Sequence, residues 1–322
     1  MMKNPLRKRL PRELKDEIGK YLVIFLLMIG TIGMVSGFLV ADGSMLKAYH
    51  ESFEKYNIED GNFRTGEKVY RGQKEAIEEQ GVKIYENYYI EESLTNGSTM
   101  RFFKNREKVD KVCIMEGKAP EKTGEIAIDR MYADNNGLKL GDTLRSGDKT
   151  WKIVGLIALS DYSALFQNNN DSMFDAVKFG VSVVTAEEFD SLDQEKLQYN
   201  YSWIYDEKPA NEKEEKEVSD ALMKEMGKVV TLENFVPRYQ NQAIIFTGDD
   251  MGGDKAMMIM LLYIVIVIMA FVFGITTSNT ITKEAGVIGT LRASGYTGNE
   301  LIRHYMTLPF LVTLAGALVG NI

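Results

Sequence analysis

Three long runs of apolar residues interrupt an otherwise polar chain, and they constrain its fold more than any other feature. The first, Tyr21–Val40, reads "YLVIFLLMIGTIGMVSGFLV", and the second, Ala256–Ile275, reads "AMMIMLLYIVIVIMAFVFGI"; neither contains a charged residue. A third run begins at Leu308. A helix of about 20 apolar residues is needed to cross the hydrocarbon core of a bilayer. The sequence therefore predicts transmembrane α-helices, and the first run is too long, and lacks the small-residue cleavage site, for a signal peptide.

Basic residues beside the first run predict the orientation of the chain. Residues 1–20 carry seven Lys or Arg against three acidic residues, and such an excess favours the cytoplasmic side. The predicted order is a cytoplasmic segment 1–20, a transmembrane helix 21–41, an extracytoplasmic α+β domain with helical stalks 42–255, a transmembrane helix 256–279, a cytoplasmic segment 280–306, and the start of a third transmembrane helix 307–322.

The net charge of −8 falls mainly on the predicted outer domain, because the first 20 residues are basic and the apolar runs are uncharged. An acidic exterior disfavours nucleic acid and favours neutral or cationic partners, although an ordinary solvated surface also accounts for it. The chain has one cysteine, Cys113, so it forms no internal disulfide. The stability of the outer domain must come from a packed core.

Residue patterns within 42–255 predict two successive α+β units above a stalk helix that continues the first apolar run. In the first unit a strand, "NFRTG", and a helix closed by Gly81 precede a hairpin over residues 82–105 that turns at Asn96-Gly97. A strand, a short helix and two strands then occupy residues 124–166. In the second unit, strands flank a charged helix whose core-facing residues are predicted to be Val218, Leu222 and Met226.

One aromatic and Asn-rich stretch, residues 161–180, does not fit a strand or helix pattern. It reads "DYSALFQNNNDSMFDAVKFG". The stretch is either a surface loop that meets a partner or an ordered linker, and the residues alone leave both interpretations open.

Several catalytic and binding sites are disfavoured by residue content. A nucleophilic hydrolase usually needs a histidine base, and the only histidines, His50 and His304, fall on opposite sides of the predicted membrane. The chain has no G-x-x-x-x-G-K-[ST] phosphate loop, so no common ATP site is expected. Three carboxylates, Asp249, Asp250 and Asp254, suit calcium, but without EF-hand spacing a solvated hinge at Gly252-Gly253 is the favoured interpretation.

Another spacing signal lies in the first apolar run. Gly33 and Gly37 form a G-x-x-x-G pair. Such a pair lets a second helix approach closely, and ordinary membrane glycines explain it equally well.

The segment between the second and third apolar runs, "KEAGVIGTLRASGYTGNELIRHY" from Lys283 to Tyr305, is more elaborate than a simple turn. Val287, Ile288 and Leu291 recur at helical spacing and predict one apolar face on a short helix that stops at Gly295. Thr297-Gly298-Asn299-Glu300 has the form of a capping box and predicts the start of the next helix. Such a capped tip suits docking into a cytoplasmic partner, whereas a helix resting on lipid is an equally good physical account.

Two motifs resemble those of a known family. "IGTLRASGYTGNELI" is similar to the cytoplasmic I-G-x-L-[KR]-A-x-G-[AY] segment of the FtsX-like, or MacB-type, ABC transporter permeases. "GEIAID…NNGLKLGDTLRSGDKTWKIVGLI" resembles a run in their extracytoplasmic core domain. The resemblance implies an outer α+β domain of the MacB-like periplasmic core type.

The resemblance also implies a contact with an ATPase through the cytoplasmic segment. The matching positions are Ile288, Gly289, Leu291, Arg292, Ala293 and Gly295. The family usually has an acidic residue immediately before the Ile-Gly pair, where this chain has Val287, and Glu284 lies nearly one turn earlier. The predicted coupling residues are therefore Glu284, Val287, Ile288, Gly289, Leu291, Arg292 and Gly295.

The function implied by the resemblance is that of a non-catalytic permease in the bacterial plasma (inner) membrane. Its implied partners are a pair of separate ABC ATPase subunits, a second permease copy or half, the lipid bilayer and an unidentified substrate; no cofactor or metal is implied. ATP hydrolysis would move the outer domain for export or mechanotransmission. The alternative is a transmembrane regulator of an extracellular cell-wall hydrolase. Because such permeases have at least four transmembrane helices, the chain is expected to be a fragment.

Overall fold

The computed structural model describes residues 5–322. The chain divides into two compact units, one formed by the residues up to Leu46 together with Met251–Ile322, the other by Lys47–Asp250. The α-helices are α1 (Leu10–Asp16), α2 (Ile18–Lys55), α3 (Arg71–Glu78), α4 (Arg130–Asn135), α5 (Ala186–Asp190), α6 (Glu212–Val229), α7 (Gln242–Lys283), α8 (Ala285–Ala293) and α9 (Gly298–Gly320).

The strands all belong to the unit Lys47–Asp250. They are β1 (Gly61–Thr65), β2 (Val82–Glu86), β3 (Tyr89–Ser93), β4 (Thr99–Lys104), β5 (Val112–Gly117), β6 (Glu125–Asp129), β7 (Thr143–Ser146), β8 (Lys149–Leu159), β9 (Phe179–Val184), β10 (Tyr199–Tyr205) and β11 (Leu232–Pro237).

Three helices, α2, α7 and α9, are long and apolar enough to cross a membrane. Together with the strand-rich unit they confirm the predicted combination of transmembrane helices and an α+β domain. The membrane boundaries and the sidedness of each predicted segment stay predictions.

Within the first unit, glycines bring α2 and α9 close together. A Cβ atom added to Gly316 would lie 2.9 Å from Met28 Cβ, and one on Gly33 would lie 3.4 Å from the Gly320 carbonyl oxygen. Gly37 has no such neighbour among the described residues. The close approach predicted for the G-x-x-x-G pair is therefore made by Gly33.

The unit Lys47–Asp250 contains two sheets. One is a four-stranded antiparallel sheet in the order β11-β1-β10-β2, and α3 and α6 pack on it. Its buried core includes Phe63, Tyr201 and Trp203. The other sheet is mixed, in the order β3-β4-β9-β6-β8-β5 with β7 paired to β8, and its core includes Phe102 and Trp151.

The predicted order of two successive α+β units is wrong. The four-stranded sheet combines β1 and β2 with β10 and β11, which come more than 100 residues later, and the mixed sheet is built from the residues between them. The predicted hairpin over residues 82–105 divides accordingly: β2 pairs with β10, and only β3 and β4 form the hairpin that turns at Asn96-Gly97. Buried Asn87 separates the two parts, and its amide donates to Ser202 Oγ at 2.9 Å.

Two local predictions also need correction. On α6 the buried residues are Ser219, Leu222 and Met226, whereas Val218 is 39% exposed. The inner face of the helix runs from Ser219 to Leu222, three residues later, and then to Met226, four residues further on, and this spacing leaves out Val218. The predicted hinge at Gly252-Gly253 is absent, since α7 is an uninterrupted helix from Gln242 to Lys283.

Candidate functional site

The predicted cytoplasmic segment folds as a short helix, a glycine turn and a capped helix. Helix α8 ends at Ala293, Ser294 is its C-cap residue, and Gly295 follows with a φ of +94°. The N–H of Tyr296 then donates to the Leu291 carbonyl oxygen at 3.2 Å, which satisfies a free carbonyl of the last turn. A residue with a Cβ atom is disfavoured by about 1–2 kcal/mol in this left-handed conformation. The stop predicted at Gly295 is confirmed.

The capping box predicted at the start of α9 is also confirmed. Thr297 is the N-cap residue, and its hydroxyl oxygen accepts from the Glu300 N–H at 3.4 Å. In return, the Thr297 N–H donates to Glu300 Oε2 at 2.9 Å. These two bonds satisfy the backbone N–H groups of Thr297 and Glu300 at the start of the helix. The direction of α9 is therefore fixed by residues within its own first turn.

The apolar face of α8 has no full cover in the described part of the chain. Val287 is 42% exposed, Ile288 and Leu291 are half-buried, and no residue of α8 is buried among residues 5–322. Arg292 on the same helix is exposed. The helix therefore presents a small apolar patch, Val287, Ile288 and Leu291, with a cation beside it.

Glu284 does not share this exposure. Its carboxylate lies 3.0 Å from Arg9 Nη2 and accepts a hydrogen bond from the Tyr305 hydroxyl, and its side chain is 23% exposed. The side chain thus joins the start of α8 to α1 and α9 within the first unit. Sequence reasoning missed these contacts because Arg9 is 275 positions away from Glu284.

A second carboxylate extends this polar network. Glu13 Oε1 lies 3.1 Å from Arg9 Nε and 3.1 Å from His304 Nε2. Nearby, Lys20 donates to Thr280 Oγ1 at 2.9 Å, which links α2 to α7. We call Arg9, Glu13, Glu284, His304 and Tyr305 the base network, because they tie together α1, α9 and the residue before α8.

The remaining sites named by the sequence lie apart from this segment. His50 belongs to α2, and its ring centroid is 5.4 Å from that of Tyr49. Asp249, Asp250 and Asp254 lie on α7. Among residues 5–322, no group of three Asp, Glu, His or Cys side chains is arranged to hold a metal ion.

The order of the apolar helices and the inserted domain along the chain defines a class of protein. An α+β domain is inserted between the first two of three apolar helices, and a tip of a short helix and a glycine turn joins the second to the third. The protein is a membrane protein of this inserted-domain type.

Comparison with known families makes the class more specific. Residues 259–322 match the family model of the FtsX-like permease C-terminal domain. The matched range comprises most of α7, all of α8 and α9, and the base-network residues Glu284, His304 and Tyr305. Residues 259–322 are therefore similar to the FtsX-like permease C-terminal domain, and the predicted resemblance is confirmed for this segment.

Two solved structures are similar to the chain at low identity. The periplasmic region of MacB from Actinobacillus actinomycetemcomitans is 9% identical with a TM-score of 0.31, over 52% of this chain and 83% of that one. The extracellular domain of YknZ, a noncanonic ABC-type transporter from Gram-positive bacteria, is 10% identical with a TM-score of 0.30, over 54% of this chain and 98% of that one. No curated protein sequence matches the chain.

Proposed function

We propose that the protein is the permease subunit of an ABC transporter and that α8 is its docking element for a separate ATPase subunit. ATP binding and hydrolysis by a pair of such subunits then move the outer domain, for export or for mechanotransmission. The observation that carries the proposal is the match of residues 259–322 to the FtsX-like permease domain, because this range contains the exposed tip.

The chemistry of α8 supports a protein partner over lipid alone. Its apolar patch, Val287, Ile288 and Leu291, is small and is followed directly by the cation Arg292. A groove with apolar walls and an acidic rim would bury the patch and pair the cation. Gly289 carries no side chain to obstruct close approach, and Gly295 makes the sharp turn.

The surroundings of α8 suit the transmission of force. Glu284 anchors its first turn to Arg9 and Tyr305, and the capping box fixes the start of α9. A push on α8 is therefore passed to α7 and α9, both long and apolar enough to span a membrane. We accordingly propose an anchoring role for Glu284 and a contact role for Val287, Ile288, Leu291 and Arg292.

The orientation predicted from the basic N-terminus belongs to the same proposal. It places residues 1–20 and 280–306 in the cytoplasm and residues 42–255 outside a bacterial plasma membrane. A second permease copy or half is expected beside the first, so that two tips meet two ATPase subunits.

The experiment is a pull-down of the full-length chain from native membranes with mass identification of its cytoplasmic partners. Leu291→Asp puts a carboxylate into the apolar patch, and burial of an unpaired charge is costly, so an ATP-binding-cassette subunit should be lost by at least about tenfold. Thr290→Asp is the matched control, because it adds the same charge to an exposed position of α8 beside the patch.

Two results would contradict the proposal. One is equal recovery of the ATPase with Leu291→Asp and with the unchanged chain. The other is the absence of any ATPase from both preparations when the chain itself is recovered intact.

A further inference from the structure

The four-stranded sheet of the unit Lys47–Asp250 has an unusual second face. On its first face, Phe63 lies directly opposite Tyr201 and Phe235 of the neighbouring strands, and these side chains face α3 and α6. Since side chains alternate along a strand, the neighbouring positions point the other way. There, Arg64 lies opposite Asn200 on one side and Asn234 on the other, across three adjacent strands.

This second face forms one wall of a cavity of about 450 Å³. The facing wall is built from Asp161, Tyr162 and residues 166–170, the Asn-rich part of the stretch that the sequence left unassigned, and from Tyr89 and Arg101 of the mixed sheet. A volume of this size falls within the range of about 300–1,000 Å³ that small-molecule sites occupy.

The charged side chains that line the cavity are held by other groups of the protein. Glu59 makes no ion pair among residues 5–322, but its Oε1 accepts from Asn62 Nδ2 at 2.6 Å and from Asn241 Nδ2 at 3.2 Å. Arg64 Nε lies 3.0 Å from Glu233 Oε2. Arg101 binds Glu91 and also donates to Tyr162. Asp161 Oδ2 accepts from Arg106 at 2.8 Å. The cavity therefore offers neither a free cation for an anionic ligand nor a free carboxylate pair for a metal ion.

The groups that remain available are mainly amides. Within residues 5–322, the side-chain amides of Asn170 and Asn200 make no hydrogen bond, Asn62 Oδ1 accepts none, and Asn234 Nδ2 donates none. Asn170 and Asn234 are exposed and the other two are half-buried. Each free amide offers a donor and an acceptor close together.

Two buried oxygen atoms of lining residues also lack a donor. Asn87 is 4% exposed and Asp161 is 6% exposed, yet Asn87 Oδ1 and Asp161 Oδ1 accept no hydrogen bond from residues 5–322. Buried acceptors are usually satisfied by a partner. Both residues line the cavity, and a donor from a ligand reaches these two oxygens only if their side chains turn toward it.

We propose that this cavity binds a neutral saccharide. Neighbouring hydroxyl groups of a sugar ring each donate and accept, which matches planar amides that do the same. An anionic ligand would find only arginines that carboxylates already bind. A cationic ligand would find carboxylates that already accept from Arg64, from Arg106 or from the amides of Asn62 and Asn241. A peptide would need apolar pockets for its side chains, whereas the available groups are amide donors and acceptors.

The test is calorimetric titration of the full chain in lipid nanodiscs, which avoids sugar-based detergents. The probes are di- to tetrasaccharides built from glucose, N-acetylglucosamine, mannose and galactose. At least one should bind with a dissociation constant of about 1 mM or below. The measurement requires no ATPase, so its outcome is independent of the proposed role of α8.

Two variants locate the site. Asn200→Leu removes an amide from the sheet wall and should weaken binding by at least about tenfold, and Asn170→Ala, on the exposed facing wall, by about threefold. Gln80→Leu is the matched control, since Gln80 is an exposed amide beyond the end of α3 and outside the cavity lining. Each variant is first checked for an unchanged unfolding transition; Asn170→Ala tests the site even where Asn200→Leu fails to fold.

Three results would overturn the assignment. The first is no heat of binding from any probe at about 10 mM, which is about ten times the largest dissociation constant expected. The second is unchanged affinity in the Asn170→Ala and Asn200→Leu variants. The third is binding of a mixed tripeptide library with no response to any saccharide.

Discussion

A buried carboxyl cluster makes the stability of the outer domain depend on pH. Glu59, Asp110 and Asp161 lie close to one guanidinium, that of Arg106, and all four side chains are buried. Burial, followed by the nearby charge of Asp161, raises the pKa of Glu59 from its ordinary value of 4.5 to about 7. Burial and the charge of Glu59 also raise the pKa of Asp110. One guanidinium therefore faces three carboxyl groups, and the pKa values of two of them, Glu59 and Asp110, are raised.

The sign of the effect follows from proton binding. Between pH 4.5 and pH 7 the folded state keeps a proton on Glu59 that the unfolded state has released, so the free energy of unfolding falls as pH rises. The contribution is fully present below the unfolded pKa and is lost above the folded one. A shift from 4.5 to about 7 corresponds to about 3 kcal/mol for Glu59. Asp110 adds to the loss with the same sign.

The substitution Glu59→Gln isolates this contribution. Glutamine keeps an oxygen that accepts from Asn62 Nδ2 and Asn241 Nδ2, as Glu59 does at 2.6 Å and 3.2 Å, but it does not titrate. Between pH 5 and pH 8, the unchanged chain should lose about 3 kcal/mol more unfolding free energy than the variant. Asp129, whose pKa burial raises to about 6, is present in both chains and cancels from the difference.

The two tryptophans provide the assay. Trp151 and Trp203 are the only ones in the chain, both are buried in the unit Lys47–Asp250, and they lie in different sheets. Their fluorescence during denaturant titration therefore reports the unfolding of this unit within the full-length chain. The exposed Glu207→Gln serves as control and should leave the pH dependence of the unchanged chain intact.

Two results would refute the reasoning. Equal pH dependence in Glu59→Gln and the unchanged chain would mean that Glu59 does not hold the proton. An unfolding free energy that rises from pH 5 to pH 8 would mean that the carboxyls are ionised and stabilised in the folded state.

Three further predictions use the same chain. Gly97→Ala should cost about 1 kcal/mol in the fluorescence assay, because Gly97 has a φ of +83° in the β3–β4 turn. Gly180→Ala should cost about 2 kcal/mol, because its Cβ would lie 2.6 Å from Tyr132 Cγ in a packed core. A membrane-impermeant maleimide should label the half-buried Cys113 in intact cells, and labelling only after lysis would reverse the predicted orientation.

Features that depend on neighbours in sequence were predictable. The turn at Asn96-Gly97, the stop at Gly295 and the capping box at Thr297 and Glu300 each use a residue type whose backbone preference or side-chain reach acts within four positions. The tip between α7 and α9 was therefore predicted element by element.

Features that depend on distant pairing were not predictable in the same way. The alternating pattern of β2 identifies a strand but does not specify a partner, and its partner β10 lies more than 100 positions later. Glu284 shows the same limit at the candidate site. Its position nearly one turn before the Ile-Gly pair suggested a contact with the ATPase, whereas its carboxylate binds Arg9 and Tyr305 within the first unit.

The base network also explains how apolar helices acquire a defined arrangement. In a bilayer, apolar faces pack on each other little better than on lipid, so specificity must come from small residues and polar contacts. Gly316 and Gly320 supply the first where α9 meets α2. At the other end of α9, His304 and Tyr305 supply the second by binding Glu13 and Glu284. Helix α9 therefore carries both the polar contacts near α8 and the glycine contacts with α2. A displacement of α8 must shift or break one of these two sets of contacts.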